Sequence, residues 1–174
     1  MQVEFKEELG RGKEGVVALV VVNGVECVCK QFKPKKSLKK IHVEADLQRM
    51  AHLAGISPKI LHIDDDHRRI YMEYIPFSLV ELCQQTQGGQ LSRDQEEQIT
   101  QTMNILDHIG VLHNDGNVHN WRVDYSGKLY LLDYGMSKKI NAAILRDWGN
   151  HPNSKTTLFM MKRSFKHNNI IHTL

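Results

Sequence analysis

The run VVALVVVNGVECVCKQF, residues 16–32, constrains the fold more than any other stretch of this chain. β-Branched residues crowd both sides of Asn23-Gly24, the dipeptide best suited to a two-residue hairpin because both positions accept a positive φ. A hairpin from about Val16 to Phe32 follows, and with it an antiparallel sheet at the front of the chain. After Pro34, Ser37 is placed to cap a helix over 37–54, with Val43, Leu47, Met50 and Ala54 at helical spacing and Gly55 just past the end. Glu44 stands beside that stripe. ISPKILHID and RRIYMEYIP, separated by a polar turn over 64–67, read as two more strands.

The pattern changes at Pro76 and becomes helical. Ser78 with Glu81 and Ser92 with Gln95 match the capping box, and the second opens a helix carrying Ile99, Met103, Leu106 and Ile109, ended by Gly110. Residues 84–90 read as a soft loop. WRVDYSGKLYLLDYG reads as a small hairpin turning at Ser126-Gly127, and the tail carries one helix with Leu158, Met161 and Phe165 on one face. Trp121 and Trp148 are expected to be core or bracing residues.

Composition excludes several classes. With 41% hydrophobic and 25% charged residues the chain is neither disordered nor fibrous, and a net charge of +3 is too mild to announce nucleic-acid binding. No apolar run has the length of a membrane span, and MQVEFKEELG lacks the apolar core of a signal peptide. Cys27, Cys29 and Cys83 form no even disulfide framework, so reduced thiols and a soluble, cytoplasmic protein are expected. Six lysines between Lys30 and Lys40 read as a solvated loop and helix start, with an anionic docking patch as the alternative.

The chemistry-bearing residues recur in order. Gly10-Arg11-Gly12-Lys13-Glu14-Gly15, followed by Val16 and Val17, is a glycine turn between strands, of the kind whose main-chain amides can lie over phosphates. Because a β-branched run follows rather than a helix, dinucleotide binding is disfavoured. On the next strand Lys30 shares a face with Val28, so a cation for phosphate oxygens adjoins an apolar cover for a base. Such a lysine needs a carboxylate, and Glu44 is suitable. The loop VLHNDGNVHN, residues 111–120, supplies His113, Asp115 and Asn120, and thirteen residues later comes Asp133-Tyr134-Gly135. Phosphoryl transfer asks for these types: a carboxylate for the attacking hydroxyl's proton, and an amide oxygen and second carboxylate for hard Mg²⁺ ions. Structural zinc on His113 and His119 is the rival reading, disfavoured because no cysteine joins them.

On these motifs, together with Cys27-Val28-Cys29-Lys30 and Met72-Glu73-Tyr74, the chain resembles the protein-kinase-like superfamily over roughly residues 3 to 140. The resemblance implies an α+β, bilobal kinase-like fold. Its N-lobe, 1–75, would be an antiparallel sheet with the helix 37–54; its reduced, mainly helical C-lobe, 76–174, would carry the catalytic loop 113–120 and the 133–135 motif. By similarity, Asp115 is the catalytic base and Lys30 pairs with Glu44 and contacts ATP phosphates. Asn120 and Asp133 hold Mg²⁺. Gly10, Arg11, Gly12, Gly15, Val17 and Val28 surround the nucleotide, whose adenine is received by the backbone of Glu73, Tyr74 and Ile75.

Departures from the family's pattern are informative. The lysine that often stands two residues after the catalytic aspartate is replaced by Asn117, with Arg11 and Lys13 as candidates for compensating charge. Arg122 stands where the adenine floor is usually apolar. Only 39 residues follow Gly135, without an Ala-Pro-Glu sequence, so the chain looks closest to small atypical serine/threonine kinases such as the RIO group and the KEOPS-complex kinase, and so stripped a kinase would also suit a large DNA virus. A serine or threonine hydroxyl on a protein substrate is the expected acceptor, reached through a recruiting partner or self-association, with the lysines at 33–40 or the last helix as docking surfaces. A pseudokinase interaction module and an aminoglycoside- or choline-kinase-like enzyme are the alternatives.

Overall fold

The computed structural model describes residues 2–86 and 88–174. Strands β1 (Val3–Arg11), β2 (Gly15–Val22) and β3 (Val25–Phe32) are followed by helix α1 (Leu38–Leu53) and strands β4 (Ile60–Asp64) and β5 (Arg69–Glu73). They form one antiparallel sheet of order β1-β2-β3-β5-β4. The hairpin turns at Asn23 and Gly24, with φ of 51° and 85°, and pairs Val22 with Val25 through to Gly15 with Phe32. Ser37 caps α1 by accepting from the Lys40 amide, and Gly55 follows the helix at φ 78°.

The buried face of α1 keeps most of the expected stripe, with Leu47 buried and Met50 and Ala54 packed against the main core, but Val43 is 47% exposed. Ile41, Glu44, Ala45, Gln48 and Ala51 are also turned inward, so the buried face is wider than the stripe and includes two polar residues. Ile41 and Ala45 pack with Phe32, Ile60, Ile70 and Met72 from one side of the sheet. Ala18, Val20, Cys27, Cys29 and Tyr71 pack on the other, which accounts for two of the three free, buried cysteines as packing residues.

The second half begins with β6 (Phe77–Ser78), α2 (Leu79–Thr86), α3 (Arg93–His108) and β7 (Val111–Leu112). Strands β8 (Trp121–Val123) and β9 (Leu129–Leu131), a short β10 (Lys138–Lys139), and helices α4 (Ala142–Trp148), α5 (Pro152–Lys155) and α6 (Thr157–His167) complete it. The Ser92–Gln95 capping box forms in full. The expected soft loop is partly helical: α2 reaches Thr86, and Gly89 is buried, donating to the Cys83 carbonyl and accepting from Ile171. Gln87, within that expectation, lies outside the described residues. Trp121 is core, whereas Trp148 is 44% exposed.

The largest core joins Leu47, Ala51 and Ile56 to Leu79, Ile99, Met103, Leu106, Trp121, Tyr134, Met161 and Phe165. It therefore runs from the helix of the sheet region to the last helix. Among the described residues no helix is long and apolar enough to cross a membrane.

Candidate active site

Strand β3 and helix α1 bring Lys30 and Glu44 together because a strand residue facing the helix meets its buried stripe. Lys30 Nζ donates to Glu44 Oε1 at 2.6 Å and to Asp133 Oδ1 at 2.7 Å. Burial works against the ammonium's charge, but Glu44 and Asp133 outweigh it and hold the Lys30 pKa above its ordinary value. Asp133 is likewise disfavoured by burial, yet Lys30 and the Gly135 amide keep its carboxyl below the usual range. Asp133 adopts φ 62°, a left-handed conformation that costs a non-glycine residue energy, and its Oδ1 accepts from the Gly135 N–H at 3.3 Å. Tyr134 anchors this turn in the main core and meets the His113 ring edge-on at 4.9 Å.

The loop after β7 is tied to that turn. Leu132 N–H donates to the Asn120 carbonyl at 2.8 Å, and the two ring nitrogens of His113 lie 3.0 Å from the carbonyls of Asp115 and Leu132. His113 is fully buried, and burial holds its pKa below the ordinary value against the pull of those carbonyls. Asp115 is oriented at both oxygens, Oδ1 accepting from Asn117 N–H at 3.2 Å and Oδ2 from Asn120 Nδ2 at 3.0 Å.

The tail supports this loop from beneath, which the sequence did not announce; the segment around His151 and Lys155 reads as solvated. Asn153, completely buried in α5, accepts from His113 N–H at 3.0 Å and donates to Val111 O at 2.7 Å and Asp107 Oδ1 at 2.6 Å. Thr157 Oγ1 accepts from Asn114 N–H at 3.1 Å, and Ser164 Oγ from Val118 N–H at 3.0 Å. Gly116 is where the loop touches α6: a Cβ there would stand 2.2 Å from Thr157 O and 2.5 Å from Met161 N. The only sequence signals were this glycine and a Pro152 that starts a helix, neither of which names a partner.

The glycine turn differs from expectation in detail. Gly15 is demanded by the sheet, since a Cβ would lie 2.0 Å from Gln31 O, while Gly10 and Gly12 have nothing within 4 Å. Gly12 N–H closes the turn on Gly15 O at 2.9 Å, leaving the Lys13 and Glu14 amides without a partner among the described residues. Arg11, expected near the nucleotide, is exposed and paired with Glu8, with Nε–Oε1 3.0 Å and Nη2–Oε2 2.6 Å. Val17 pairs with Lys30 across β2–β3, and Val28 packs beside the Met72 cluster. Glu73 uses its N–H on Lys59 O at 2.9 Å, and the amides of Tyr74 and Ile75 have no partner among the described residues. Arg122 projects from β8 on the face opposite buried Trp121 and Val123, without an ion pair among the described residues, and its charge reaches the Tyr74 phenol, whose pKa burial raises. Lys36, expected on a solvated or docking segment, is buried and bonded to Glu44 Oε2 at 2.6 Å.

A five-stranded sheet with its helix-held lysine, facing an aspartate and a paired Asp-Asn loop on a helical base, is the framework of phosphoryl-transfer proteins. The family model described as protein kinase domain matches residues 3–161, and the chain belongs to that family. Membership supports phosphoryl transfer as the chemistry of this site and bears out the resemblance drawn from the motifs.

Proposed function

We propose that this chain transfers the γ-phosphoryl group of Mg²⁺-ATP to a serine or threonine hydroxyl of a protein. The observation that carries the reading is Lys30 bridging Glu44 at 2.6 Å and Asp133 at 2.7 Å, beside the Asp115–Asn120 pair. The donor set suits magnesium: Asn120 Oδ1 and Asp133 Oδ2 accept no hydrogen bond among the described residues, and both are the hard oxygens this ion takes. Bound magnesium would neutralise phosphate charge during transfer. Lys30 meets phosphate oxygens, the Lys13 and Glu14 amides cap them, and the amides of Tyr74 and Ile75 receive the base. Asp115, fixed at both oxygens, takes the hydroxyl proton. Because only residues 136–141 separate the Asp133 motif from α4, the acceptor is brought by a partner or a second copy rather than laid on a long segment of this chain.

The test is transfer of label from ATP with Mg²⁺ to a protein acceptor. Label is expected on the acceptor with the parent and lost in Asp115→Asn and Asp133→Ala. Nucleotide-dependent thermal stabilisation without any transfer would instead establish a binding module.

A further inference from the structure

Lys36 is the buried charge that the reading above leaves without a role. Its ammonium donates to Glu44 Oε2 at 2.6 Å and to Glu14 Oε2 at 2.5 Å, over the Phe32 ring at 4.6 Å. Its main chain is pinned as well: Arg68 Nη1 donates to Lys36 O at 2.8 Å, and Lys36 N–H to Lys33 O at 3.0 Å. A buried cation persists only with well-placed carboxylates around it. Glu44 is thereby divided between two lysines, one oxygen each, which fixes the rotation of its carboxylate as well as its position.

The other side of Lys36 meets the glycine turn. A Cβ on Gly135 would stand 2.8 Å from Glu14 Oε2, 3.1 Å from Asp133 Oδ1 and 3.3 Å from Glu44 Oε2. Carboxylates from the turn, the helix and the Asp133 motif thus converge on one point, opposed by Lys30 and Lys36. Acid exceeds base there by one charge. Glu44 is 4% exposed at its side chain, but Glu14 is 46% exposed and sits on an exposed turn, so it is the carboxylate that can leave. Lys33 holds the same turn by its carbonyls, donating from Nζ to Gly12 O at 3.2 Å and from N–H to Glu14 O at 2.8 Å.

We infer that Lys36 is a second positioning lysine of the site, fixing Glu44 and exchanging the Glu14 carboxylate for nucleotide phosphate, so that the turn's own acid competes with the nucleotide. This rests on the phosphoryl-transfer reading.

MgATP binding by calorimetry in the parent, Glu14→Gln, Lys36→Gln and the double variant tests it. Glu14→Gln removes a half-exposed pair, so it tightens MgATP about two- to five-fold, and the gain vanishes when Lys36 is also replaced. In turnover, Lys36→Arg retains more kcat than Lys36→Gln, because the arginine still holds Glu44, whereas Glu14→Gln lowers the KM for MgATP. Unchanged or weaker binding in Glu14→Gln, or the same gain without Lys36, overturns the exchange while leaving the kinase reading intact. A parent that binds no MgATP overturns both. Glu14 lies on an exposed turn, so its single variant decides the matter even where Lys36→Gln does not fold.

Discussion

Asn153→Asp, a change of one atom, is expected to be more damaging than truncation to alanine. Asn153 donates to Asp107 Oδ1 at 2.6 Å and Val111 O at 2.7 Å and accepts from His113 N–H at 3.0 Å. Alanine strands the buried His113 N–H and Val111 carbonyl, about 1–3 kcal/mol each, and removes a bond to a charged acceptor worth about 1.5–3 kcal/mol. Neighbouring terms do not add fully, so a loss of about 4 kcal/mol is expected, against a typical total of about 5–15 kcal/mol. Aspartate keeps the acceptor for His113 but loses both donors and sets a second carboxylate against Asp107, whose own side chain is only 5% exposed. At pH 8 the aspartate variant should unfold at lower urea than the alanine variant. Combining Asp107→Asn with Asn153→Asp exchanges the charge and recovers part of the loss. Urea melts at pH 8, with turnover measured well below the transition, read the series. An aspartate variant within about 1 kcal/mol of the parent at pH 8 would refute the donor assignment, since donation is what aspartate lacks.

Gly116→Ala should cost at least about 2 kcal/mol and depress turnover, because its Cβ would meet main-chain atoms of α6 at 2.2 and 2.5 Å, whereas Gly10→Ala, with nothing within 4 Å, should leave the melting temperature in place. Phe165→Ala, at a fully buried position, should cost about 3–5 kcal/mol, and Phe159→Ala, 58% exposed on the same helix, under about 0.5 kcal/mol; denaturant midpoints distinguish them. For His113, burial lowers the folded pKa below its ordinary 6.5, so the unfolded chain binds more protons between the two values. Its contribution is therefore complete above about pH 6.5 and is lost as pH falls, so the stability gap between the parent and His113→Gln should shrink on acidification, as urea midpoints would record.

Much of this architecture was legible because its causes are local. Asn23-Gly24 dictates a hairpin, and the Ser92–Gln95 box forms as its spacing requires. Lys30, Glu44 and Asp133 are recognisable as a set, and in the structure Lys30 donates to both carboxylates. What escaped was the polar interior. On α1 the stripe of Leu47, Met50 and Ala54 packs as its spacing requires, but Val43 is exposed, and Glu44 and Gln48 occupy the buried face, which hydrophobicity alone does not announce. On the surface, Arg11, expected near the nucleotide, is paired with Glu8, an acid three residues before it on the same strand. Lys36 looked like one of six solvated lysines; only the fold reveals that two carboxylates from distant positions enclose it. Asn153 carries no signal at all, since an asparagine after a proline is an ordinary helix start.

Those misses share a physical origin that bears on how the loop after β7 keeps its geometry. Phosphoryl transfer depends on positioning and charge, so the loop bearing Asp115 has to be held to a fraction of an ångström. Apolar packing alone tolerates slippage, whereas hydrogen bonds to buried main-chain groups specify a single arrangement and penalise every other. The tail therefore meets the loop with Asn153, Thr157 and Ser164, each accepting from a different loop amide, and with a glycine contact that admits no side chain. On the opposite side Glu44 is fixed at both oxygens by Lys30 and Lys36. Rigidity of the loop comes here from a few satisfied polar contacts. It also makes the loop's order vulnerable to single-atom changes that a hydrophobic support would absorb.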